Sequence, residues 1–433
     1  MTPVNVGSAD RRLVRAAMER LTPHLAAGQG LPPGHRYADG RPGRQPVNDS
    51  ALAEYIALSA VQHAFDGWAY WGRAVAAEIS GDSNVASHLG YYAELRAAKA
   101  ILASEGIGLF ANQVAVVHGN GRCVLETGQG SSHKVLWEAL EEWSKGKAQG
   151  IVFRLLGPFG HSISDWLQHF SRSSNAVAED WLRAWGLDLQ ELAKGESGRR
   201  NVASYEPSGC PQTEREQSEK ALDHITRLWR SCQPTGTGVN LALDRLVLRA
   251  TLESVFQAGD AEERSASEAR DQYCAKVRHT VESLSLGQSI GQAILRFLDP
   301  QEIPEGMDIF EIAKRTSDAR TRTHVTEVLS RAVLLLRLAT ACAHDLLGEL
   351  GTDPRAATQH WWESRHVRRG LWPVGHTLDS FSDLWDEADE ALDTLANQPN
   401  GGSTFGLRSS DCASSVATLA TAERIFFWGS FAA

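Results

Sequence analysis

The stretch "HLGYYAELRAAKAILASEGIGLF" (residues 88–110) decides how the rest of the chain is read. Leu89, Tyr92, Leu95, Lys99 and Leu102 recur along one stripe at helical spacing. Ala93, Ala97, Ala98 and Ala100 are small enough to let neighbouring helices approach closely. "SEGIG" (Ser104 to Gly108) supplies a glycine where a helix C-cap needs one. The spacing predicts a core helix that ends near residue 105. It carries two tyrosines and an arginine, Arg96, in surroundings that look buried.

Helical periodicity continues on both sides. Residues 9–27 place Leu13, Ala16, Ala17 and Leu21 on one face, and a Pro/Gly-rich loop follows over 28–49. Asp49 and Ser50 are placed to cap the next helix, which carries Tyr55, Phe65, Trp68 and Trp71 and has Gly67 as a point of bending. Downstream, "QVAVVHGNGRCVLET" reads as a β-hairpin near 114–126, with two β-branched runs about Gly119-Asn120-Gly121. Helices resume at 132–145 and 164–195. "KGESGRRNVASYEPSGCPQTERE" (Lys194 to Glu216) is polar, rich in Gly, Ser and Pro, and without periodicity. Further helices are expected near 217–232, 239–258, 262–286, 309–317, 323–350 and 353–368, and at the C-terminal end. The expected fold is mainly α: helical bundles with one small β-hairpin. Its expected divisions are 1–195, a linker over 196–216, and 217–433.

Composition narrows the class. The chain has 433 residues, 42% hydrophobic and 22% charged, with a net charge of −10. There is no global basic field, so any nucleic-acid contact has to come from a local patch. Six cysteines occur, none as CxxC or beside histidine at zinc-finger spacing, which suits free thiols in a reducing compartment. The first residues lack an apolar core of signal-peptide length. The most apolar internal run, Arg331 to Leu347, is broken by Arg337, His344 and Asp345. These features predict a cytoplasmic protein with no membrane span. Arginine supplies 35 of the 43 basic residues. A GC-rich bacterial genome accounts for that bias, so the arginines as a class carry no functional weight.

The block from His88 to about Trp143 resembles the HEPN-type helical bundles, including the YaaC-like proteins of bacteria. The residues that carry the likeness are Tyr91, Tyr92, Arg96, Ala97, Ala98, Ile101, Leu102, Gly106 and Ile107, over about a quarter of the chain. The resemblance implies one of two roles. Many such proteins are metal-independent endoribonucleases of toxin–antitoxin or antiviral defence systems. Others are catalytically silent binding or scaffolding modules. The nuclease version uses an arginine and a histidine with four to six residues between them at a homodimer interface, without metal or cofactor. RNA is then the substrate, and the protein partner is one encoded in the same operon.

Four Arg–His pairs have that separation: Arg154/His161, Arg337/His344, Arg355/His360 and Arg369/His376. Chance gives about 3.6 in a chain of this composition, so only context can favour one. Arg154/His161 spans a turn with proline and two glycines. Arg337/His344 shares a face of a very apolar helix, where a structural contact with nearby Asp345 is the plain reading. Arg355/His360 stands out as the candidate catalytic pair. Asp353 and Pro354 read as N-cap and first helical residue, which puts Arg355 in a first turn whose backbone N–H groups favour phosphate. The pair belongs to the densest basic segment of an acidic protein. Arg365, His366, Arg368 and Arg369, with Trp361 and Trp362 interleaved, form the candidate nucleic-acid-binding set. The competing reading puts the tryptophans in the core and the arginines on a solvated face.

Other features are weaker. His118 and Arg122 flank the hairpin turn. "GQGSSHK" (Gly128 to Lys134) lacks the spacing of a phosphate loop, and no zinc-protease, hydrolase or dinucleotide motif occurs. The acidic run Asp383 to Asp393 reads as an amphipathic helix. Two functions stand open: an RNA-binding protein of the HEPN type with endoribonuclease activity at Arg355 and His360, or a non-catalytic scaffold or adaptor of a multiprotein complex.

Overall fold

The computed structural model describes residues 6–27, 48–110, 113–127, 131–146, 154–170, 178–192, 215–236, 238–259, 265–317, 322–351, 353–371, 380–381, 383–397 and 410–431. The fold is mainly α with one small antiparallel sheet. The first part comprises α1 (Arg11–Ala26), α2 (Asp49–Ile79), α3 (Ser83–Ser104), β1 (Ile107–Phe110), β2 (Gln113–Val117), β3 (Cys123–Thr127) and α4 (Ser132–Lys145). Two short helices follow, α5 (Ile163–Trp166) and α6 (Ala178–Ala184). Then come α7 (Arg215–Ser231), α8 (Ala242–Gly259), α9 (Ala266–Ser283), α10 (Gln288–Phe297), α11 (Asp308–Lys314) and α12 (Arg322–Leu347). The chain closes with α13 (Pro354–Arg369), α14 (Asp383–Ala396), α15 (Ser410–Ala420) and α16 (Glu423–Ser430).

Residues 88–104 do form a core helix, and α3 is buried on almost every side. Gly106, at φ +93°, takes the chain out of it in the left-handed conformation that L side chains avoid. The following residues then do more than the sequence suggests. Ile107–Phe110 is a third strand, paired antiparallel with β2 from Ile107↔Val116 to Phe110↔Gln113. The expected hairpin is therefore the β2–β3 half of a three-stranded sheet in the order β1-β2-β3. A four-residue strand beside two glycines has too short a β pattern to separate from a helix end.

The cap of α2 also differs from the expectation. Asn48, not Asp49 or Ser50, accepts from the Ala51 N–H at 3.1 Å. Asp49 instead accepts from the Cys123 N–H at 2.9 Å and ties the sheet to the helix start. No break interrupts α2 at Gly67. That glycine is a point of close approach, since a Cβ there would lie 2.4 Å from Leu336 Cδ2 and 3.3 Å from Arg96 Cβ.

The core of the molecule is the packing of α2 and α3 against α12. The Trp68 indole donates to Thr340 Oγ1 at 2.8 Å, and the Trp71 indole to the Leu329 carbonyl at 3.1 Å. Buried residues from both ends of the chain form one continuous hydrophobic cluster. The division at 196–216 thus does not separate two cores. A polar Gly/Ser/Pro stretch marks a long connection, but the chain beyond it returns to the same interior. Residues 196–214 of that stretch lie outside the described residues. Among the described residues no helix is long and apolar enough to cross a membrane.

The polar residues that interrupt α12 all have partners. Arg337 is held by Asp244 on α8, at 2.6 and 2.8 Å. Asp345 is taken by Arg11 of α1 at 2.6 Å, so it does not pair with Arg337 as the sequence suggested. His344 Nδ1 lies 2.6 Å from the Ser430 carbonyl. Arg331 meets Glu94 of α3 at 2.9 Å, with both side chains buried.

Candidate functional site

The basic segment on α13 begins as the sequence suggests. Pro354 is its first residue, and Asp353 Oδ1 accepts from the Ala356 N–H at 2.9 Å. Arg355 is half-buried, with its guanidinium 4.3 Å from the centre of the Phe381 ring. Its carbonyl accepts from the Trp362 indole at 3.0 Å. Trp362 is 4% exposed and packs edge-on against Phe381 and Phe427. Trp361 is half-buried and meets the edge of Phe65. Both tryptophans are thus core residues, with Trp362 fully closed to a base. Arg369 is exposed, and its Nη1 lies 3.1 Å from buried Glu423. The side chains of His360, Arg365, His366 and Arg368 lie outside the described residues, as do Trp372 and His376. On the backbone of α13, five residues separate Arg355 from His360, about 140° around the helix.

A different constellation forms where α2 meets α3. Residues three, four and seven apart on a helix share a face. His63, Asp66 and Tyr70 therefore line up on α2, and His88, Tyr92, Arg96 and Lys99 on α3. All seven are half-buried. Arg96 Nη1 donates to His63 Nδ1 over 2.9 Å. The guanidinium lies 3.9 Å from Asp66 Oδ2 and 5.8 Å from the centre of the Tyr70 ring. Tyr70 stacks on Tyr92 at 5.5 Å and 24°. His88 lies 4.9 Å from Tyr92, and His133, at the start of α4, lies 5.6 Å from Tyr91. A run of aromatic rings thus leads directly to a group of cations.

The electrostatics are unbalanced. Arg96 has Asp66 as its one nearby carboxylate among the described residues. Lys99 makes no hydrogen bond or ion pair among the described residues. Burial, and then the neighbouring Arg96, hold its ammonium down to about 8. Burial first, then Arg96 and Lys99, keep His63 well below the ordinary histidine range, so it is neutral at pH 7. An arginine can only donate, so His63 Nδ1 is the acceptor and its Nε2 carries the hydrogen. His63 therefore offers one N–H to a ligand and has no free nitrogen with which to take a proton. The cluster is equipped to hold an anion beside a planar ring. It is poorly equipped for general-base chemistry at His63.

Three of the described thiols are poorly placed to react. Burial pushes Cys123, Cys232 and Cys342 up to about 12, well away from a thiolate at neutral pH.

The sequence quoted Tyr92, Arg96 and Lys99 but could not pair them with α2. His63, Asp66 and Tyr70 carry no motif, and only the α2–α3 packing places them opposite the α3 stripe. The usable signal was four polar or aromatic residues, 88, 92, 96 and 99, at helical spacing on an otherwise alanine-rich helix. Comparison of the chain with protein-family models, with curated proteins and with solved structures finds no match in any of the three.

Proposed function

We propose that the protein is a HEPN-like, RNA-binding helical bundle whose phosphate contact is the Arg96–Lys99 pair on α3. The carrying observation is the pair of cations one helical turn apart, of which only Arg96 has a carboxylate near it among the described residues, at the end of the Tyr70–Tyr92 stack. Single-stranded RNA offers both things such a surface takes: a phosphate for the cations and an unstacked base for the rings. The acidic net charge is no obstacle, because a local patch supplies the contact. The hydrogen on His63 Nε2 makes this residue a donor to a phosphate oxygen or base edge. That favours binding over cleavage as the function of the site.

Fluorescence anisotropy with a labelled single-stranded RNA tests the reading. Arg96→Ala and Lys99→Ala should each weaken binding about tenfold, and each should reduce the steepness of the salt dependence by about 0.7. Arg369→Ala and His360→Ala should leave binding unchanged. Absence of binding by the wild-type protein at low salt overturns the reading. A loss confined to the α13 variants moves the site to the segment that the sequence singled out. The same RNA incubated in EDTA reports cleavage separately, with His360→Ala as the variant that the endoribonuclease alternative requires to be inactive.

A further inference from the structure

The described lysines divide sharply. Lys134, Lys145 and Lys314 each meet a glutamate on their own helix. Lys276 lies over the rings of Phe170 and Phe256, and Lys220 also has a contact. Lys99 alone among them has no partner. It is half-buried, on the same face of α3 as Arg96 and one helical turn from it. Across the α2–α3 seam lies His63, whose Nδ1 is already engaged by Arg96. Every other described lysine has a contact. Lys99 is an amine set against a guanidinium in a partly desolvated seam.

We propose that Lys99 is a nucleophilic amine that forms an imine with a small phosphorylated aldehyde, whose phosphate is held by Arg96. The inference rests on the same cation cluster as the RNA reading, but not on RNA being its ligand. Desolvation and a neighbouring cation are the two influences that free a lysine amine for attack near neutral pH. Arg96 supplies the second and also a fork for a phosphate dianion. In the reaction the Lys99 ammonium first gives a proton to water. The amine nitrogen then attacks the carbonyl carbon, and a C–N bond forms as the C=O π bond opens. The carbinolamine loses its hydroxyl together with a proton, as water, and leaves the imine. No oxidant or metal enters the balance.

The probe is pyridoxal phosphate, with the imine trapped by borohydride and located by peptide mass spectrometry on the full chain. Lys99 should be labelled at least tenfold faster than exposed Lys134, and pyridoxal without its phosphate should lose most of that preference. Arg96→Ala should lose the phosphate preference while its circular dichroism spectrum stays that of the wild type. Lys99→Arg should abolish the adduct. Labelling of Lys99 no faster than of Lys134 overturns the inference, as does equal labelling by pyridoxal and its phosphate. If Lys99 is labelled selectively and no RNA binds, the amine stands and the RNA reading falls. If RNA binds and Lys99 is inert, the reverse holds.

Discussion

The guanidinium of Arg337 grips both carboxylate oxygens of Asp244, at 2.6 and 2.8 Å, with both side chains at most 1% exposed. This fork joins α12, the central helix of the core, to the start of α8. It also explains how so apolar a helix accommodates an arginine. Arg337 Nη1 remains buried without an acceptor among the described residues, so the pair is not fully satisfied. Removing one partner strands the other charge in the interior, which costs about 3–5 kcal/mol, whereas apolar replacement of both is often neutral. Asp244→Ala should therefore destabilise the protein by about 3–5 kcal/mol in urea unfolding. The double variant Arg337→Met with Asp244→Leu should recover most of that loss. A single variant within about 1 kcal/mol of wild type would show that the interior is wetter than the packing implies.

Lys99 gives a prediction with a definite pH window. Its ammonium is held at about 8 in the folded protein, against an ordinary 10.5. A base with a depressed folded value binds more protons when unfolded, so its charged form penalises the fold. That penalty is complete below pH 8 and fades as pH rises from 8 to 10.5. Lys99→Met should therefore raise stability at pH 7 by about 1 kcal/mol and lose RNA binding at the same time. The advantage should shrink towards pH 10.5, measured as the difference in melting temperature between the two proteins. A constant difference across that range would mean that the lysine is not desolvated.

How much of this was readable in advance differs between residues. The α3 helix, its glycine stop and the helices around it follow from periodicity and capping. Most helices of residues 217–368 were legible for the same reason, but α10 (Gln288–Phe297) was not among those expected. Partners were not. Arg337 looked ready for Asp345, seven residues before and one after His344 on the same helix, yet its acid comes from position 244. Asp345 answers to Arg11, 334 residues away. Sequence spacing reports which residues share a face, and only the packed fold says what that face meets. The same limit hid the site. Arg96 was visible as an oddity on an alanine-rich helix, while His63 and Tyr70 sat on another helix with nothing to single them out.

Gly72 tests the close packing of α2 against the C-terminal helices. A Cβ at this position would lie 2.5 Å from the Ala420 carbonyl oxygen and 2.8 Å from the Ala422 nitrogen. Both are backbone atoms, so neither can swing aside. Gly72→Ala should destabilise by about 1–3 kcal/mol despite the better helix propensity of alanine. Gly348, whose Cβ would meet nothing within 4 Å, is the control. Gly348→Ala should leave the urea midpoint nearly unchanged. Equal effects of the two substitutions would contradict the α2–α15 contact.

Trp362 separates the two sites by opposite signatures. It is buried against Phe381 and Phe427, and its indole N–H is spent on the Arg355 carbonyl. Truncating a buried tryptophan costs about 3–5 kcal/mol through lost transfer energy and the cavity left behind. Trp362→Phe keeps a ring in place but loses the hydrogen bond and part of the volume, so a smaller cost of about 1–2 kcal/mol is expected. Neither change touches the α2–α3 cluster. Trp362→Phe should thus lower the melting temperature while RNA affinity, measured well below that temperature, stays within twofold of wild type. Tyr92→Ala should do the opposite and weaken RNA binding by about 1–3 kcal/mol, as expected for a ring that stacks on a base. If Trp362→Phe weakens binding more than Tyr92→Ala does, bases are read at α13, and the tryptophans of that helix leave the core when RNA arrives.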